Sequence, residues 1–193
     1  ILEPFTAAFV EAIKNVTVGN GLDDGVQMGP MLDERRRVAV HKLVQQAADR
    51  GATILTGGEP LPGRGYFFPP TVLTDVPADA EILHEEPFGP VAPIIAIGSV
   101  EEGLQIANSL PYGLAAYGYT DSAATAEQLI AGFEAGILSI NHCGGSIPNA
   151  PSGGVKESGY GKEGGHEGLN GYLVTKRVSH KLHIDGPVPP GKA

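Results

Sequence analysis

Scarcities narrow the reading first. The chain has one cysteine, Cys143, so it can form neither an internal disulfide nor a multi-thiolate metal site, which fits a reducing compartment. No apolar run approaches the roughly 20 residues that cross a bilayer, and no basic segment precedes an apolar one as in a secretory signal. A cytoplasmic protein without membrane association is expected. Positive charge is sparse as well: 13 Lys and Arg stand against 22 Asp and Glu, a net charge of −9. Nonspecific binding to nucleic acid or acidic lipid needs clustered cations, so neither partner is expected. His84, His166, His180 and His183 lack metal-ligand spacing and read as surface residues, and no metal is predicted. Tryptophan is absent altogether.

What is present is ordinary globular composition, 41% hydrophobic and 18% charged over 193 residues, enough for a sizeable core. Phe5, Phe9, Ala12, Ile13 and Val16 recur at helical spacing almost from Ile1, with no cap or strand ahead of them. That start predicts a piece of a longer polypeptide. Asp33 is a good N-cap for a second helix with Val40, Leu43, Val44, Ala47 and Ala48 on one stripe and Gly51 at its end. The arginines of its first turns read as a solvated face.

A strand is expected at Thr53–Thr56. An extended segment, 66–73, is broken by Pro69 and Pro70 and suits an edge strand or a strand pair around a bend. Val91–Ile97 reads as a buried strand, continuous rather than alternating. Ser99 and Glu102 suggest a capping box for a helix through Asn108. Strand 114–119, a helix capped by Asp121, and strand 137–141 follow. Repeated strand–helix alternation predicts an α/β fold, a largely parallel sheet flanked by helices.

From His142 to Gly165 the chain is a long glycine-rich loop, and loops of that length inside domains are usually functional. A short helix is expected at 167–172. The segment 173–182 alternates like a terminal strand with nothing downstream to pair with, a candidate for pairing outside its own domain. The residues from 185 on, rich in proline, are expected to be disordered.

The stretch Leu83-His84-Glu85-Glu86-Pro87-Phe88-Gly89-Pro90-Val91 organises the rest. Each proline fixes its own φ and biases its predecessor toward extended geometry, so the turn can hold a carboxylate and a ring at a fixed offset. A carboxylate held this way can accept charge-assisted bonds from two neighbouring ribose hydroxyls. A solvated loop acid is the plain alternative.

These residues carry a resemblance. Glu85-Glu86-Pro87-Phe88-Gly89-Pro90 resembles the Glu-Glu-x-Phe-Gly-Pro segment of the NAD(P)-dependent aldehyde dehydrogenases. The run from Pro151-Ser152-Gly153-Gly154 through Lys156, Ser158, Gly159, Gly161, Lys162 and Glu163 resembles their Pro-Phe-Gly-Gly-x-Lys-x-Ser-Gly-x-Gly-Arg-Glu signature. Met28-Gly29-Pro30 and Leu110-Pro111-Tyr112-Gly113-Leu114 match two further landmarks in the right order. The resemblance covers nearly the whole chain but only the last two-fifths or so of a full-length member.

It implies an aldehyde-dehydrogenase-like catalytic domain over 1–165, a helix and oligomerisation strand over 166–184 and a flexible tail over 185–193. The implied activity is oxidation of an aldehyde to a carboxylic acid with NAD or NADP, by thiolate attack, hydride transfer and thioester hydrolysis. Glu86 would then hold the nicotinamide-side ribose and Phe88 would wall the nicotinamide ring. Asn141, Cys143 and Ser152 would line the substrate tunnel, with Asn141 open to a capping role instead. The implied partners are an aldehyde substrate and further copies of the chain, joined as a homo-oligomer through the C-terminal strand.

Two departures stand out. Ser152 replaces a phenylalanine and should widen the tunnel mouth, and Lys162 replaces an arginine, losing the bidentate fork. The nucleophile, its base and the oxyanion asparagine of the family are expected upstream of Ile1, so no catalytic residue is assigned and this piece alone is predicted inactive. Cys143 beside His142 is poorly placed as a nucleophile–base pair, since adjacent residues of an extended segment face opposite ways. No glycine-rich phosphate loop follows a predicted strand, which weakens a third reading as a free-standing nucleotide-binding domain. The main alternative is a non-catalytic assembly module.

Overall fold

The computed structural model describes residues 1–144 and 147–181. They form two compact units, one over Ile1–Gly103 and one from Leu104 onward.

The first unit begins with α1, Leu2–Lys14, whose apolar stripe is left open. None of its residues is buried, although Phe5 and Phe9 stack at 5.7 Å. α2, Glu34–Asp49, forms as expected. The Asp33 carboxylate accepts the Arg36 N–H at 2.7 Å, and Val40, Leu43, Val44 and Ala47 turn inward together. They make the core with Phe68, Leu73 and Ile82. Phe68 and Leu73 are essentially fully buried, worth about 1.5–3 kcal/mol each in transfer free energy.

The sheet of this unit runs β1 (Thr53–Thr56), β2 (Thr71–Thr74), β3 (Val91–Pro93), with β1 antiparallel and β3 parallel to β2. This corrects two expectations. The strand after the proline pair is central rather than an edge, because Pro69 and Pro70 precede the ladder and leave Thr71 onward free to donate. β3 is also shorter than Val91–Ile97. The Ile94 N–H still reaches the Leu73 carbonyl at 2.8 Å, but β2 ends at Thr74 and gives the run no further partner, and Ile95 and Ile97 remain 38% and 51% exposed. Buried Thr71 is satisfied, its hydroxyl accepting the Gly58 N–H at 2.9 Å and donating to the Pro69 carbonyl at 3.0 Å.

α3, Val100–Ala107, crosses the boundary between the units. Ser99 Oγ accepts the Glu102 N–H as a capping box requires, but the Glu102 carboxylate takes the Gly98 N–H instead of that of Ser99.

In the second unit β4 (Tyr112–Gly113) pairs antiparallel with β7 (Val155–Lys156), so the long glycine-rich segment is not wholly a loop. β5 (Ala115–Gly118) and β6 (Ile137–Ile140) are parallel and joined through α4 (Ala123–Gly132). The α4 cap is Ser122, not Asp121; its hydroxyl accepts the Thr125 N–H at 3.2 Å. A 3₁₀ helix covers Glu167–Tyr172. Residues 173–181 are exposed and pair with no strand among the described residues. Leu182, His183 and the tail from 185 lie outside them. The parallel and mixed sheets with flanking helices make an α/β fold.

Candidate functional site

Glu86 and Phe88 lie together on the turn between the 3₁₀ helix Glu81–Leu83 and β3. The turn is fastened at both ends. His84 and Glu85 donate their N–H groups to the Glu81 carbonyl at 2.8 Å, and the Pro90 carbonyl accepts the Thr71 N–H at 2.8 Å. In the middle, Gly89 rests on α2: a Cβ there would come within 2.8 Å of Val40 Cγ2 and 3.1 Å of Met31 Cε. Glycine is required by close approach, not by φ.

On this support Glu86 is exposed and Phe88 is 68% exposed with φ of +43°. The left-handed region costs an aromatic residue about 1 kcal/mol or more, and such outliers concentrate at ligand sites. A ring held out of the core in a strained backbone, beside an exposed carboxylate, fits a ligand with an apolar ring and hydroxyls close by. Arg36 stands over the Phe88 ring at 5.7 Å, a contact not foreseen from the sequence. Its signal is positional: Arg36 is four residues before Val40, on the inward stripe of α2.

An open groove of about 740 Å³ lies elsewhere in this unit, between α1 and residues 94–96, and includes none of the predicted site residues. Its walls are the uncovered apolar face of α1 and the run beyond β3, so it reads as unfinished packing.

In the second unit, Asn141 and Cys143 follow β6 at the carboxyl ends of two parallel strands, where open α/β sheets bind ligands. Asn141 has φ of +62°. Its amide oxygen accepts the Thr120 N–H at 2.8 Å and its amide nitrogen donates to the Thr120 carbonyl at 2.9 Å. The side chain is thus a bracket between the ends of β5 and β6.

The Cys143 side chain is hydrogen-bonded to the Tyr119 hydroxyl, and that bond is the main reason the tyrosine pKa lies above its usual value. His142 Nδ1 accepts the Gly144 N–H at 3.2 Å, so that nitrogen is not free to take a proton from Cys143. Sequence reasoning missed Tyr119, although its place directly after β5 was a usable signal.

Ser152 sits in an antiparallel bridge with Glu163, exchanging two bonds of 2.7 Å. No hydrogen bond joins it to Asn141 or Cys143 among the described residues. Two lysines stitch its surroundings. Lys162 Nζ donates to the Gly153 and Gly154 carbonyls at 2.6 and 3.1 Å. Lys156 Nζ reaches the Asn108 and Leu110 carbonyls and the Glu134 carboxylate. Glycine at 154 is needed because a Cβ would collide with Ser158. Among the described residues no group of three His, Cys, Asp or Glu side chains is disposed to hold a metal ion, and no helix is long and apolar enough to cross a membrane.

Known proteins resemble this chain in sequence and fold. The model of the aldehyde dehydrogenase family matches residues 1–178. The chain is 42% identical over 185 residues to a succinate-semialdehyde dehydrogenase of Paenarthrobacter nicotinovorans, covering 92% of this chain and 40% of that protein. It is 40% identical over 181 residues to the human mitochondrial succinate-semialdehyde dehydrogenase, covering 93% and 34%. Lactaldehyde dehydrogenase from Escherichia coli superposes with a TM-score of 0.87 at 34% identity, over 90% of this chain and 37% of that one. A Staphylococcus aureus betaine aldehyde dehydrogenase solved with NAD+ gives 0.85 at 34%, over 91% and 37%. The chain therefore spans well under half the length of these relatives. The family match extends over nearly all of it and the solved structures share its fold, so the chain belongs to the aldehyde dehydrogenase family.

Proposed function

We propose that the whole protein containing this chain oxidises an aldehyde to a carboxylic acid with NAD or NADP, and that the chain supplies its cofactor clamp. The observation that carries the reading is Phe88: an aromatic ring in left-handed backbone, mostly exposed, on a turn pinned to α2 beside an exposed carboxylate. Glu86 would accept hydrogen bonds from ribose hydroxyls, and Phe88 would limit where the nicotinamide ring can sit. Bound there, NAD(P)+ would supply the acceptor for the substrate's hydride. Cys143 and Ser152 would face the substrate, and Asn141 would hold the strand ends that present Cys143. The nucleophile and base are assigned to parts of the whole protein outside this chain, and the setting is cytoplasmic.

The test is turnover. This chain alone, given NAD+ or NADP+ and a panel of aldehydes that includes carboxylate- and sulfonate-bearing ones, is expected to form no reduced cofactor. The whole protein is expected to form it with at least one aldehyde. Sustained turnover by this chain, or none by the whole protein, would contradict the proposal.

A second reading rests on the exposed segment 173–181, where Leu173, Val174 and Val178 are 70%, 97% and 75% exposed. It is a strand-like surface for assembly into a homo-oligomer, with or without catalysis. Loss of higher-order species on replacing Val174 and Val178 by lysine, read by light scattering, tests it.

A further inference from the structure

Three arginines open α2, and their side chains go to three places. Arg35 is out in solvent, 3.9 Å from the Asp33 carboxylate. Arg37 pairs with Glu34 at 2.8 Å and donates to the Gly65 carbonyl at 3.2 Å. Arg36 is half-buried and has no carboxylate partner among the described residues; its guanidinium lies over the Phe88 ring, 5.7 Å from the centroid.

The arrangement is built, not incidental. The Arg36 N–H is fixed by Asp33 at 2.7 Å, so the first turn of α2 cannot drift. One turn later on the same face, Val40 is fully buried beneath Gly89. One stripe of one helix therefore supports two consecutive residues of the turn, Arg36 under the ring and Val40 under the glycine. With Phe88 68% exposed, the guanidinium takes one ring face and leaves the other to solvent.

We infer that Arg36 is a positioning residue of the cofactor site that also favours the reduced over the oxidised cofactor. The inference rests on the reading of Glu86 and Phe88 as cofactor-binding. A fixed positive charge behind the wall draws the ring's electron density toward itself and repels charge on the far face. The nicotinamide of NAD+ is a cation, whereas that of NADH is neutral. Two unit charges about 9 Å apart beside a mostly exposed ring, at a water-like effective dielectric of about 60, differ in binding by about threefold from the uncharged case. Arg36 thus weakens NAD+ relative to NADH, the direction that favours hydride acceptance.

The test measures dissociation constants for NAD+ and NADH, and for the NADP pair in parallel, by calorimetry on the whole protein. The variants are Arg36→Met, Arg36→Lys and, as a control on the site, Glu86→Gln. The ratio Kd(NAD+)/Kd(NADH) is expected to fall about threefold in Arg36→Met and to stay close to wild type in Arg36→Lys. A merely structural support would change both constants together and leave the ratio alone. If the ratio is unchanged or rises in Arg36→Met while Glu86→Gln weakens both cofactors, this inference is wrong and the clamp stands. If Glu86→Gln changes neither constant, the clamp reading fails and the inference with it. Should Arg36→Met not fold, Arg36→Gln is judged by the same ratio.

Discussion

The backbone of Gly89 lies directly on the side chain of Val40, with only 2.8 Å between the place a Cβ would occupy and Val40 Cγ2. This contact joins the site turn to the most buried stripe of α2 and, with the Val91 N–H donating to the Gly89 carbonyl at 2.9 Å, explains how a short loop holds its geometry. The φ of Gly89 is not left-handed, so alanine there tests packing alone.

Gly89→Ala is expected to destabilise the protein by about 1–3 kcal/mol through overpacking. In a Val40→Ala background, where room has been made, the same change should cost at least about 1 kcal/mol less. Urea unfolding of the four proteins of this cycle checks it. Strict additivity would mean that the two residues do not bear on each other.

Asn141 gives a prediction of a different kind. Asn141→Ala loses both bonds to Thr120 and places alanine at φ of +62°, an expected loss of about 1–3 kcal/mol. Asn141→Gly loses the bonds but not the conformation and should recover about 1 kcal/mol of that. Thermal unfolding separates them; equal stabilities would show that the backbone there is unstrained.

The organising loop, the α2 stripe, β1 and the βαβ alternation were all legible in the sequence because each depends on local periodicity or on a rigid turn. The misses came from tertiary context. Pro69 and Pro70 look like an interruption until Thr71 is seen to start the ladder immediately after them, which makes β2 central. Val91–Ile97 is apolar throughout, yet its partner strand β2 ends at Thr74 and the described residues leave Ile95 and Ile97 partly exposed. Asp121 and Ser122 are both good caps, and composition cannot choose between neighbours. Arg36 was hidden inside a charge run because its partner, Phe88, is 52 residues away.

The tyrosine–thiol contact has a signature in pH. Tyr119 titrates above its ordinary value mainly because its hydroxyl is bonded to the Cys143 side chain. Tyr is raised in the folded state, so whatever stability the bond gives is complete below the unfolded tyrosine pKa of about 10 and is lost as pH rises through the folded value. In ultraviolet titration, with Tyr119→Phe subtracted to isolate one ring, Cys143→Ala should move the Tyr119 midpoint downward. No movement would mean that the contact is not made in solution.

Everything about function comes back to whether the Glu86 carboxylate touches the cofactor. The direct measurement is the dissociation constant of NAD+ or NADP+, whichever binds the tighter, for the whole protein and for Glu86→Gln. Losing charge-assisted bonds worth about 1.5–3 kcal/mol predicts roughly 10- to 100-fold weaker binding with the unfolding midpoint little changed. Equal affinity in the two proteins would contradict the account.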